Sequence, residues 1–123
     1  MKTNEPMPRM LIVDDEQDLC FLLAGMMSKK LDVHITHSLT EARKHVTEYK
    51  PDILFLDNNL PDGKGIDSIA YLRKQLPAAR IVMMTSDTTR DLEKTAKRYG
   101  ADYFLYKPFS REIVKSVIIG IAS

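Results

Sequence analysis

Two rhythms of apolar and polar residues alternate along the chain. Short apolar runs fall at residues 10–13, 33–37, 53–56, 80–84 and 101–106, and the least interrupted of them show no polar alternation. Such runs suit strands buried on both faces of a parallel sheet. Between them the apolar positions recur at the spacing of a helix with one face turned inward. Residues 16–30 carry the stripe Leu19, Leu22, Leu23, Met26 and Met27, with Phe21 almost opposite it. Ser38-Leu39-Thr40-Glu41 offers a capping box to a helix that turns Leu39, Ala42 and Val46 inward and closes at Lys50-Pro51. Ile66, Ile69, Ala70 and Leu76 line a third helix that stops at Pro77. Residues 88–99 predict a fourth, with an apolar face of Leu92, Ala96 and Tyr99, a basic opposite side of Arg90, Lys94, Lys97 and Arg98, and Gly100 as its cap. Ser110 caps a last helix whose stripe is Ile113, Val114, Val117, Ile118 and Ile121, which leaves Ile119 beside Lys115 off the stripe. Strands and helices in this alternation imply an α/β fold, a five-stranded parallel sheet with five helices on both faces and right-handed crossovers.

Composition adds bounds. The chain has 123 residues, 44% hydrophobic and 28% charged, enough for one ordinary domain with a sizeable core. Residues 1–8 are expected to form a flexible N-terminal segment and 9–123 the domain itself. A formal net charge of +1 supplies no global field for nucleic acid or an anionic membrane. The single cysteine, Cys20, rules out an internal disulfide and agrees with a reducing compartment. No apolar run is long enough for a signal peptide or a membrane span, so a cytoplasmic place is expected.

The strand ends carry the chemistry. The first run leads into Asp14-Asp15, the third into Asp57, the fourth into Thr85-Ser86 and the fifth into Lys107-Pro108. In open α/β sheets, groups that meet ligands sit just past the carboxyl ends of the strands. Asp57 alone could equally cap a turn, since Asn58-Asn59-Leu60-Pro61-Asp62-Gly63 follows it. Its companions at the same edge favour chemistry. Three carboxylates ~4–5 Å apart repel by a few kcal/mol per pair unless a cation intervenes. Asp14 or Asp15, Asp57 and one backbone carbonyl suit Mg²⁺, whereas soft-metal ligands are absent and His34, His37 and His45 do not form a ligand set. The usual work of Mg²⁺ is phosphoryl transfer, for which Asp57 can serve as nucleophile with Lys107 and the Thr85 hydroxyl holding the remaining oxygens. No GxxxxGK[ST] or GxGxxG loop offers a nucleotide cradle.

With Val13-Asp14-Asp15, then Asp57 with Leu60-Pro61-Asp62-Gly63, then Thr85, then Lys107-Pro108-Phe109, the chain resembles the receiver domains of two-component response regulators over residues 9–122. The resemblance implies a flavodoxin-like sheet of order 2-1-3-4-5, the order that receivers share with flavodoxin. It implies that Asp57 is the phosphoacceptor, that Asp14 and Asp15 organise Mg²⁺, and that Asn59 ligates it through its backbone carbonyl. Thr85 and Phe104 would be the switch hydroxyl and the switch aromatic. Lys107 would bind the phosphoryl group across a cis Lys107-Pro108 bond. Ser86 in place of the common Ala and Leu60 in place of the common Met are mild departures.

Such a domain is not an enzyme acting on other molecules; it catalyses its own phosphorylation and dephosphorylation. Its implied partners are a histidine kinase or phosphotransfer protein and, after phosphorylation, a second copy or an effector domain. Direct nucleic-acid binding and membrane insertion are not expected. Arg90, Lys94, Lys97, Lys115 and Ile119 are expected on the output surface, and Phe21 at the phosphodonor. Asn59 and Asp87, each two residues past a site residue, are short and polar, which by resemblance leaves room for water and predicts quick self-dephosphorylation. A hydrolase of the haloacid-dehalogenase type would instead show Asp-x-Asp, on the first strand. A flavin mononucleotide binder would lack Asp14-Asp15-Glu16, which repels phosphate, and a degenerate docking receiver would lack one of the acids, Thr85 or Lys107.

Overall fold

A computed structural model describes residues 7–122. Five parallel strands, β1 (Arg9–Val13), β2 (Asp32–Thr36), β3 (Ile53–Asp57), β4 (Arg80–Thr85) and β5 (Tyr103–Tyr106), form one sheet in the order 2-1-3-4-5. They alternate with α1 (Gln17–Met27), α2 (Leu39–Tyr49), α3 (Ile69–Gln75), α4 (Leu92–Tyr99) and α5 (Arg111–Ala122). Residues 1–6 of the expected N-terminal segment lie outside the described residues; the Pro8 carbonyl already accepts from the Asp32 amide at 2.9 Å.

The period of two along each strand divides the core. Leu11, Val13, Leu54, Leu56, Ile81 and Met83 face α2, α3 and α4, while Met10, Ile12, Phe55, Val82 and Met84 face α1 and α5. Every residue of β3 is buried, as the unbroken apolar run predicts for a central strand.

Helix ends follow local chemistry. Ser38 caps α2 by accepting from the Glu41 amide at 3.1 Å, and Glu41 reaches back to the His37 amide at 2.8 Å, one residue before the cap. The Asp62 carboxylate adds bonds from the Leu39 and Thr40 amides, so a distant loop satisfies the same helix end. Gly100 caps α4 at φ +125°, and Ser110 accepts from the Ile113 amide at 3.2 Å.

Several expected positions move. Leu22, Ala70, Tyr99 and Ile113 were assigned to inward stripes but are exposed. Cys20 and Leu72 take the inward places beside Leu23 and Ile69. Helix α4 begins at Leu92 rather than 88, because Asp87 holds the preceding turn through the Thr89 amide and Asp91 adopts the left-handed region at φ +67°. Arg90 therefore lies in that turn, outside the helix. A two-residue ribbon, Asn59–Leu60 against Gly63–Lys64, and a 3-10 turn at Gly65–Ser68 precede α3; the sequence pattern predicted only a turn and a helix there.

Candidate phosphoacceptor site

Because all five strands run the same way, their carboxyl ends converge on one edge. Asp14 follows β1, Asp57 ends β3 and Thr85 ends β4, and all three side chains are buried. Oxygens of Asp14, Asp15 and Asp57 lie within 4.8 Å of one another. Lys107 reaches into this cluster from the end of β5: its Nζ is 2.8 Å from Asp14 Oδ2, 3.3 Å from Glu16 Oε2 and 3.4 Å from Asp57 Oδ1. The Lys107-Pro108 peptide is cis.

Electrostatics match this crowding. Burial, and then the Asp14 charge, push the Asp57 carboxyl up to about 6, against the pull of Lys107 and of a hydrogen bond from the Asn59 backbone. Burial works against the Lys107 ammonium. The hydrogen bond from Lys107 to Asp14 and the charges of Asp57, Asp14 and Glu16 outweigh that burial and raise its pKa. One cation thus serves three carboxylates, and a fourth, Asp15, stands beside them exposed. A set of close hard oxygen donors with a charge deficit fits a divalent cation of the Mg²⁺ class.

The loop behind Asp57 is folded tightly over it. Gly65 donates its amide to the Asn58 carbonyl at 2.9 Å, and Ile66 donates to Asn58 Oδ1 at 3.0 Å. A Cβ on Gly65 would lie 2.2 Å from the Asp57 carbonyl oxygen, so only glycine fits. On the neighbouring strand the Thr85 hydroxyl accepts from the Asp87 amide at 3.0 Å. Phe104 is half-buried, packs against the cluster beneath α2, α3 and α4, and meets Tyr106 edge-on at 5.0 Å between centroids.

The profile of the response regulator receiver domain matches residues 10–119. The chain belongs to that family. It is 34% identical over 113 residues to the response regulator protein PilR of Pseudomonas aeruginosa, spanning 88% of this chain and 25% of that protein. It is 38% identical over 101 residues to the transcriptional regulatory protein CitB of Klebsiella pneumoniae, covering 80% and 43%. Among solved structures, a two-component response regulator from Clostridium difficile superposes with a TM-score of 0.88 at 27% identity, covering 94% of this chain and 96% of that one. A response regulator from Burkholderia pseudomallei, solved with a phosphorylated aspartic acid, calcium ion and citrate, matches at TM-score 0.81 and 28% identity over 89% and 65%. This receiver spans less than half the length of PilR and CitB.

The receiver brings together Asp14, Asp15, Asp57, Thr85 and Lys107 as the strand ends predicted, with Asn59 at the rim. The residue expected at the phosphodonor lies apart from those expected on the output surface. Phe21, exposed at 80%, sits on α1, on the opposite side of the sheet from α4. Lys94 and Lys115 are exposed, Ile119 is 67% exposed, and Lys97 is tied to Glu93 at 2.9 Å one helical turn away. Three contributors escaped the sequence reading. Glu16 shares Lys107, a role that its place beside Asp14-Asp15 could have suggested. Gly65 and Asn58 hold the Asp57 loop, and nothing short of the tertiary path reveals them. His34 and His45, not expected to form a ligand set, hydrogen-bond to each other through Nδ1 and Nε2 at 2.8 Å, with His34 stacked on Tyr49.

Among the described residues, no helix is long and apolar enough to cross a membrane.

Proposed function

We propose that this receiver relays a signal by accepting a phosphoryl group on Asp57 from a phosphohistidine of a histidine kinase or phosphotransfer protein. The observation that carries this reading is the Asp57 carboxylate itself: buried at the sheet edge, crowded by Asp14 and Asp15, and 3.4 Å from the Lys107 ammonium. An Asp57 oxygen attacks phosphorus as the phosphorus–nitrogen bond breaks, and the departing imidazole keeps the electron pair and takes a proton. Asp14, Asp15, Asp57 and the Asn59 carbonyl would hold Mg²⁺, which when bound neutralises charge on the transferring oxygens. Lys107, already beside Asp57, holds one phosphoryl oxygen. The Thr85 hydroxyl turns from accepting the Asp87 amide to donating to another.

The same movement sets the output. As Thr85 is drawn toward the phosphoryl group, Phe104 follows into the vacated space and the surface of α4, β5 and α5 changes. Arg90, Lys94, Lys97, Lys115 and Ile119 lie on or near this surface, and their basic and apolar character suits a second copy or an effector domain rather than nucleic acid or membrane. Phe21 on α1 suits the phosphodonor. The domain works in the cytoplasm, where Cys20 stays reduced. Intact mass after acetyl phosphate and Mg²⁺ separates this reading from a hydrolase: one added phosphoryl group supports it, and rapid turnover of varied phosphoesters contradicts it. Amide exchange and light scattering with a phosphoryl mimic test the switch, and unchanged exchange over residues 85–119 counts against it.

A further inference from the structure

Lys64 stands directly across the short ribbon from Asn59, and its Nζ donates to Asn59 Oδ1 at 2.7 Å. The path that puts it there is fixed, because Gly65 and Ile66 are bonded to Asn58 and Gly65 lies against the Asp57 carbonyl. Asp57 pairs in register with Met84 of the neighbouring strand, so Asn59 and Asp87 each follow a site residue by two positions past adjacent strand ends. The Asp87 carboxylate is occupied in turn by the Thr89 hydroxyl and amide. Its pKa is lowered by the Thr89 hydroxyl first, then by the Thr89 amide, and by the charge of Lys64. The two short polar groups that could orient an attacking water are therefore both engaged, and one of them is held by a cation on a long stem.

We propose that Lys64 is a positioning residue that covers the mouth of the site and lengthens the life of the phosphorylated state. This rests on Asp57 being the phosphoacceptor. In the decay, water oxygen bonds to phosphorus and the bond between phosphorus and the Asp57 oxygen breaks. The carboxylate leaves with the electron pair, and dihydrogen phosphate carries away both protons of the water. That water must approach in line, from the side opposite the carboxylate. A dianionic phosphoryl group draws the Lys64 ammonium further over this approach, while the Lys64–Asn59 bond keeps the amide from orienting the water. The quick decay expected from Asn59 and Asp87 alone is thereby opposed.

The test is decay of the acetyl-phosphate-labelled protein after donor removal, followed by phosphate-affinity gels in wild type, Lys64→Met and Lys64→Arg. Lys64→Met keeps the stem and loses the charge; it should decay about three- to tenfold faster, the scale that one solvent-facing hydrogen bond sustains. Lys64→Arg should restore most of the wild-type lifetime, and thermal midpoints of all three should agree. Equal or slower decay in Lys64→Met, or failure of Lys64→Arg to restore the lifetime, overturns the proposal. If wild type takes up no label, the reading of Asp57 fails instead, which is a separate outcome.

Discussion

Replacing Asp57 by Asn should stabilise this receiver at neutral pH and leave it unchanged at acid pH, in metal-free buffer. The carboxyl is 3% exposed, beside Asp14 and short of cations, and its pKa is pushed up to about 6 from an ordinary 3.8. The folded state thus binds more protons than the unfolded state between those values, so stability falls as pH rises through that window. Holding Asp57 ionised then costs roughly 3 kcal/mol above pH 6. Asn is nearly isosteric and uncharged, so it escapes this cost, in which the 3.4 Å attraction to Lys107 is already counted. A gain of about 2–3 kcal/mol is expected, or on the order of ten degrees in Tm for a domain of this size. The assay is thermal denaturation of both proteins with chelator from pH 4 to 8. The gain should be full at pH 7.5 and shrink toward zero near pH 4, and saturating Mg²⁺ should narrow it by stabilising the wild type. A variant no more stable than wild type at pH 7.5, or a gain that grows on acidification, would mean that ionised Asp57 does not burden the fold.

Two further substitutions probe how the site is held. Lys107→Met leaves Asp14 and Asp57 buried without their cation and should cost about 3–5 kcal/mol in urea denaturation, with part recovered by Mg²⁺; unchanged stability would mean that the lysine is not what balances these acids. Gly65→Ala sets a Cβ against the Asp57 carbonyl oxygen, so it should lose about 1–3 kcal/mol and most phosphoryl uptake, whereas Gly25→Ala, with open space at its Cβ, should lose neither.

The strand ends were legible because a parallel sheet makes placement a matter of counting. An apolar run followed by Asp14, Asp57, Thr85 or Lys107 fixes each at the same edge, whatever the helices do. Helix faces were less legible. Leu22 and Ile113 have the right character for an inward stripe, but a helix lying across a twisted sheet buries a narrower strip than its apolar positions offer, and Cys20, the smaller neighbour, takes the inner place. The start of α4 was hidden because the Asp87–Thr89 turn competes with the helix through side-chain hydrogen bonds that periodicity does not register. Contacts that cross the chain, such as Asp62 capping α2, Glu16 sharing Lys107 and Lys64 holding Asn59, depend on the path of loops.

The most direct measurement is the location of the label: the protein is treated with acetyl phosphate and Mg²⁺, the acyl phosphate is trapped by borohydride reduction, and the modified peptide is sequenced by mass spectrometry. One modification is expected, at Asp57, lost in Asp57→Asn and lost when Mg²⁺ is chelated. Stoichiometric modification of Asp57→Asn, or full labelling of the wild type without metal, would contradict it.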